Sequence, residues 1–296
     1  MVKNHAHAVA RIGVVGAGQM GTGIGFSAAK VAGVEVLMCD SSRSSLENCK
    51  KLAASFMDRA IQKQKATPEQ KEEVLSRIKC VENVEQLGEV DFIIEAIVEN
   101  FEAKASVLKA LDKVVKPSVI LATNTSSIPI TRIAAATARP QQVIGMHFFH
   151  PVQVLNLVEV IQGAQTSEET LKSTVDLATR MGKVTTRSAD RPGFISNRVL
   201  MPWINEAIHA LNEGVGTATD IDTTMKLGTN VPMGPLTLAD FIGLDTCHAI
   251  MTVLYTHYGD PKFKPCILLT KHVEAGWFGK KSGRGFYDYS EARSTA

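Results

Sequence analysis

Apolar positions in the first two thirds of the chain fall into short unbroken runs set between stretches of helical period. Residues 12–15, 34–39, 91–96 and 119–122 form such runs, bounded by glycine, proline or polar turns. Runs this short, without alternation, predict strands buried on both faces, as in a parallel sheet. Helical patterns lie between them: after Gly21 to about Lys30, over 45–65, 68–79 and 103–115 (ended by Pro117), and over 168–181. A last strand is predicted over 183–187. Strands alternating with helices predict an α/β fold, a doubly wound and mostly parallel sheet. One strand pair differs. Residues 143–149 and 156–161 flank a Pro-containing turn and read as a hairpin folded about Gln153. From Pro192 the pattern becomes helical, beginning with one long helix over 194–212 that is broken or kinked near Pro202. The predicted division is therefore residues 1–190, carrying the sheet, and 191–296, a smaller helical domain.

Composition narrows the classes. A chain of 296 residues has room for two moderate domains with full cores. Its 32 basic and 30 acidic residues give a net charge of +2, with no basic block to grip nucleic acid. No apolar run approaches the roughly 20 residues of a membrane span. Cys39, Cys49, Cys80, Cys247 and Cys266 are scattered and form no C-x-x-C. That argues for a reducing compartment and against a disulfide framework or a metal site. The first eleven residues carry neither a signal-peptide core nor an Arg/Ser-rich transit pattern, and Ser294-Thr295-Ala296 is not a Ser-Lys-Leu signal. The expectation is a cytoplasmic protein or, in a eukaryote, one of the mitochondrial matrix, and not a secreted one.

Two constellations carry chemistry. The first run ends at Gly16-Ala17-Gly18-Gln19-Met20-Gly21, a G-x-G-x-x-G, then come a helix, a second strand and Asp40. Strand, glycines, helix, strand and terminal acid in this order predict a dinucleotide site. Gly16 allows the tight turn, Gly18 lets backbone approach a pyrophosphate, and Gly21 lets the helix pack close. Asp40 can accept from both adenosine ribose hydroxyls and would repel a 2′-phosphate, which favours NAD over NADP. FAD remains an alternative on the fingerprint alone. In the hairpin, His147 and Glu159 are equidistant from the fold at Gln153 and face each other across the strands. A carboxylate-held imidazole is a ready general base, although an ordinary satisfied His–Glu pair reads the same way. Ser126 follows the carboxyl end of a strand, where doubly wound sheets place ligands. Ser126 or Ser127 could instead cap a helix starting near Pro129.

The chain resembles the L-3-hydroxyacyl-CoA dehydrogenases of the short, single-function kind, which includes 3-hydroxybutyryl-CoA dehydrogenases. The likeness is carried by GAGQMGTGI, EAIVENFEAK, TNTSSI, HFFHP with LVEVI, DRPGFISNR, KLGTNVPMGPLTLADFIGLD and GKKSGRGFYDY, from Arg11 to Tyr289. It implies a Rossmann-type sheet domain, a helical domain that dimerises, NAD as cofactor and a short-chain acyl-CoA such as acetoacetyl-CoA as substrate. Residue by residue it implies His147 as base and Glu159 as its partner. Ser126 would touch substrate and cofactor, and Asn197 would hold the substrate oxygen. Gly16, Gly18, Gln19, Met20, Gly21, Asp40, Glu99, Lys104 and Lys281 would face the cofactor, and Lys63 the CoA tail. Where the family has Asn beside the nicotinamide this chain has His150, and Gln153 stands where Pro is usual. Two alternatives stand beside this: a dehydrogenase of small hydroxy acids such as L-gulonate, as in the lambda-crystallin branch, and a non-catalytic NAD-binding protein.

Overall fold

A computed structural model of the chain describes residues 9–290. The N-terminal stretch before Val9 and Ser294-Thr295-Ala296, read above for targeting signals, lie outside the described residues. The chain divides into two units between Arg191 and Pro192.

The first unit holds eight strands: β1 (Arg11–Val15), β2 (Glu35–Cys39), β3 (Ile78–Val81), β4 (Phe92–Glu95), β5 (Ile120–Thr123), β6 (Val143–Phe148), β7 (Leu157–Gln162) and β8 (Val184–Ala189). They form one sheet in the order β3-β2-β1-β4-β5-β6-β7-β8. Every neighbouring pair is parallel except β6 and β7, which run antiparallel. Its helices are α1 (Gln19–Ser27), α2 (Arg43–Gln62), α3 (Pro68–Ser76), α4 (Phe101–Val114), α5 (Ile130–Ala134) and α6 (Glu168–Arg180). The interior strands are continuous apolar runs because both faces are covered: all four residues of β4 and of β5 are buried. The polar edge strand β8, VTTRSA, is exposed instead, which discourages further strand pairing. Val14, Met38, Ile94, Met146 and Val160 meet in one core against α1, α2 and α6. Burying each such side chain is worth about 1.5–3 kcal/mol.

Two expectations are corrected. The helix predicted over 68–79 ends at Ser76, and Ile78 and Lys79 begin β3 in register with Val36 and Leu37 of β2. The charged pattern continues the helix locally, but Ile78-Lys79-Cys80-Val81 gains more by pairing with an open strand edge. Neither Ser126 nor Ser127 caps α5. Its N-cap is Pro129, which offers no side-chain acceptor. The carboxylate of Asp190 takes over, accepting from Ile130 N and Thr131 N at 2.8 Å each.

The second unit is helical: α7 (Ser196–Asn212), α8 (Ala218–Gly228), α9 (Pro235–Ile242), α10 (Leu244–Tyr258) and α11 (Ile267–Glu274). Of the two expectations at Pro202, a break or a kink, the break does not occur: α7 runs through it. Proline removes one N–H from the ladder, while the buried face of Met201, Ile204 and Ile208 keeps the helix on its core. Two buried carboxylates fasten the rest. Asp222 accepts from Leu236 N and Thr237 N at the start of α9, at 2.8 Å each. Asp240 accepts from Phe286 N and Tyr287 N and so ties down the aromatic tail segment. Among the described residues no single helix is long and apolar enough to cross a membrane, and no cluster of three or more metal-ligating side chains occurs.

Candidate active site

The glycine loop connects β1 to α1 at the carboxyl edge of the sheet. Gly16 has φ +105°, and a Cβ there would lie 2.5 Å from Ala96 O, so only glycine fits. A Cβ on Gly21 would lie 1.7 Å from Gly16 O, which is why the helix can start so close to the loop. Gly18 is the N-cap of α1, lacks a side-chain cap, and has nothing within 4 Å of where its Cβ would be. The first turn of α1, with Gln19 exposed and Met20 half-buried, therefore opens onto space at the positive end of the helix. This cradle fits a pyrophosphate. Asp40 follows β2, its Oδ2 accepting from Ala17 N and its Oδ1 from Ser42 N, both at 2.8 Å. The acid thus braces the glycine loop, and each oxygen keeps a second lone pair for a ribose hydroxyl.

The β6–β7 ladder places His147 directly opposite Glu159. Nδ1 of His147 lies 2.8 Å from Glu159 Oε2, with side chains 12% and 2% exposed. The Phe149 ring tilts against the imidazole at 4.7 Å between centroids. The contact commits Nδ1 to the carboxylate and so fixes the tautomer and the aim of the ring.

Ser126 sits in the turn after β5. Oε1 of Glu99 gathers that turn, accepting from Thr125 Oγ1 at 2.7 Å, Ser126 N at 2.8 Å and Ser127 N at 3.0 Å, with both serine hydroxyls at 3.2 Å. Partial burial works to raise the Glu99 pKa, but the Lys104 charge and the Thr125 and Ser126 hydrogen bonds outweigh it and hold the carboxyl below the usual range. Lys104 is not the solvated lysine its place near a helix start suggests. It is wholly buried, with Nζ 2.8 Å from Glu95 Oε1 and 3.5 Å from Glu99 Oε2.

Two residues near this turn escaped the sequence reading. Glu95, equally buried, accepts from Thr123 Oγ1 at 2.6 Å and Ile97 N at 2.7 Å. Asn124 donates its backbone N–H to Glu95 O at 2.7 Å and accepts from Phe148 N at 2.8 Å, next to His147. The signal available was an acid inside an otherwise apolar strand, DFIIEA. Of the remaining candidates, His150 is exposed two residues past β6 and Lys63 is exposed at the C-terminus of α2. Asn197 and Lys281 belong to the helical unit. Asn197 is buried as the second residue of α7, just after Gly193 and Phe194, both at positive φ. Lys281 pairs with Asp245 at 2.7 Å.

Residues 11–191 match the family description "3-hydroxyacyl-CoA dehydrogenase, NAD binding domain", and residues 193–289 match its C-terminal domain. The chain belongs to the 3-hydroxyacyl-CoA dehydrogenase family. It is an NAD-dependent oxidoreductase of that family. A probable 3-hydroxybutyryl-CoA dehydrogenase of Bacillus subtilis (strain 168) is 53% identical over 286 residues, covering 97% of this chain and 99% of that protein. The mitochondrial hydroxyacyl-coenzyme A dehydrogenase of Sus scrofa is 39% identical, covering 95% of this chain and 91% of that protein. Among solved structures, the (S)-3-hydroxybutyryl-CoA dehydrogenase of Ralstonia eutropha superposes with a TM-score of 0.92 at 46% identity, covering 95% of this chain and 99% of that one. The glycine loop between β1 and α1 and Asp40 after β2 occur on the elements that the dinucleotide fingerprint requires.

Proposed function

We propose that this protein interconverts a short-chain L-3-hydroxyacyl-CoA, of 3-hydroxybutyryl size, and the matching 3-ketoacyl-CoA. The observation that carries the reading is the His147–Glu159 pair at the carboxyl end of β6. In oxidation, Nε2 of His147 takes the proton of the substrate 3-hydroxyl. Glu159 balances the imidazolium that forms and keeps the ring aimed. NAD bound in the glycine-loop cradle would supply the hydride acceptor for oxidation at the substrate's C3 and, in its reduced form, the hydride donor for the reverse direction. Ser126 meets the substrate oxygen from the turn after β5. Gly16, Gly18, Gln19, Met20 and Gly21 receive the pyrophosphate, Asp40 the adenosine ribose, and Glu99 and Lys104 support the nicotinamide side together with His150. Lys63, exposed and cationic, receives the CoA tail, which favours a CoA ester over a small free acid.

The helical unit supplies a homodimer contact in this reading. Its exposed Val199, Val215 and Leu227 leave apolar surface uncovered, and Trp203, Ala207, Ile221 and Met225 line a cavity of about 310 Å³. The test compares NADH oxidation by acetoacetyl-CoA with that by 3-dehydro-L-gulonate. The expected result is rapid turnover of the thioester and little of the acid. Preference for the acid would move the protein to the hydroxy-acid branch, and inactivity with both would make it a binding protein.

A further inference from the structure

We infer that Glu95 is a positioning residue for the reaction: through Lys104 and Glu99 it fixes the turn at residues 125–127, so that Ser126 meets the substrate. The inference rests on the role proposed above for Ser126.

Glu95 is the last residue of β4 and pairs in register with Thr123, the last residue of β5. Its carboxylate is completely buried, a costly place for an anion unless every lone pair is answered. The answers come from three segments: Thr123 Oγ1 from β5, Ile97 N from the loop after β4, and Lys104 Nζ from α4. Lys104 has no exposed surface either, so its ammonium lies between two carboxylates, Glu95 Oε1 and Glu99 Oε2. Of the two, only Glu99 is partly exposed, and its other oxygen gathers Thr125, Ser126 and Ser127. The backbone of Glu95 adds a second tie, through Asn124 N to its carbonyl and Asn124 Oδ1 to Phe148 N. One buried acid thus links the Ser126 turn to the strand that carries His147.

A buried ion pair adds little stability over an apolar pair of similar volume, so stability does not account for this one. What the pair does account for is the location of Glu99. With Glu95 charged, Lys104 is shared between two anions and stays deep. With Glu95 neutral, Lys104 has one anion left and draws the Glu99 carboxylate toward itself, away from the turn. Lys104 then acts on a bound cofactor or substrate through Glu99, since its own surface is enclosed.

The experiment is a double-mutant cycle between Glu95→Gln and Ser126→Ala, read as kcat and KM for acetoacetyl-CoA, dissociation constant for NADH, and melting temperature. Glu95→Gln should lower kcat about tenfold or more, as small misplacements of reacting groups do, with NADH binding kept within about threefold. In the Ser126→Ala background the same substitution should change kcat by less than about threefold, because the group it positions is gone. Full additivity of the two substitutions would overturn the inference, since Glu95 would then act elsewhere or only on stability. So would an undiminished kcat in Glu95→Gln. If Glu95→Gln does not fold, Glu95→Gln combined with Lys104→Met removes the buried pair together, and the same cycle and the same two outcomes apply to it. A wild type inactive on acetoacetyl-CoA sinks the functional reading and this inference with it; an active wild type with an additive cycle sinks the inference alone.

Discussion

Asp40 meets Ala17 N and Ser42 N with one oxygen each, so one carboxylate shapes the glycine loop and keeps lone pairs for the ribose contact proposed for it. Asp40→Asn separates these two roles. The amide keeps one acceptor but turns a donor toward one of the two backbone N–H groups, and it removes the charge that repels a 2′-phosphate. Wild type should use NADH at least about tenfold more efficiently than NADPH, and Asp40→Asn should narrow that ratio while weakening NADH binding. Steady-state rates with both cofactors check it; an unchanged ratio would remove Asp40 from cofactor choice. Residues of this sort were legible from sequence because local rules place them. A fingerprint fixes the glycines and the acid, and the two-residue period of a hairpin sets His147 opposite Glu159. Glu95 and Asn124 were not legible. Their partners come from other strands and from α4, and nothing local to DFIIEA or TNTSS states which donors will meet a buried acid.

At the scale of elements, the turn between β6 and β7 is held by a side chain that pattern reading assigns to the start of a strand. Lys183, 6% exposed just before β8, donates to Val152 O and, at 2.9 Å, to Leu155 O. Val152 in turn packs against α1 at Gly23, so the turn after β6 rests on the helix that follows the glycine loop. Lys183→Met should destabilise by about 1–3 kcal/mol for each buried carbonyl left without a donor, measured by chemical denaturation. Burial lowers the Lys183 pKa. As pH rises past that lowered value the native chain releases a proton that the unfolded chain keeps until about pH 10.4. The stability contributed by Lys183 therefore grows with pH across that window. The gap between wild type and Lys183→Met should widen from neutral toward alkaline pH, and a gap that narrows would contradict the burial of this amine. Element type was read correctly for the apolar runs, whose composition reflects burial on both faces. It failed at β3, where pairing with a neighbouring strand overrides local preference.

For the whole molecule, the alternation of strand and helix followed by helix alone was visible in the sequence, because each period reflects which faces an element buries. The reaction was visible only through the motifs. A doubly wound sheet hosts many chemistries, and the proposal for this one rests on an imidazole and a carboxylate on two antiparallel strands of the sheet that also carries the glycine loop. That pair is the centre of the account. The measurement that tests it most directly is the turnover of His147→Gln with acetoacetyl-CoA and NADH, beside its dissociation constant for NADH. Turnover should fall by about two orders of magnitude or more, the contribution of a positioned base, while NADH binding stays within a few fold of wild type. Turnover near that of wild type would show that the proton is handled elsewhere, and the mechanism drawn from the His147–Glu159 pair would be wrong.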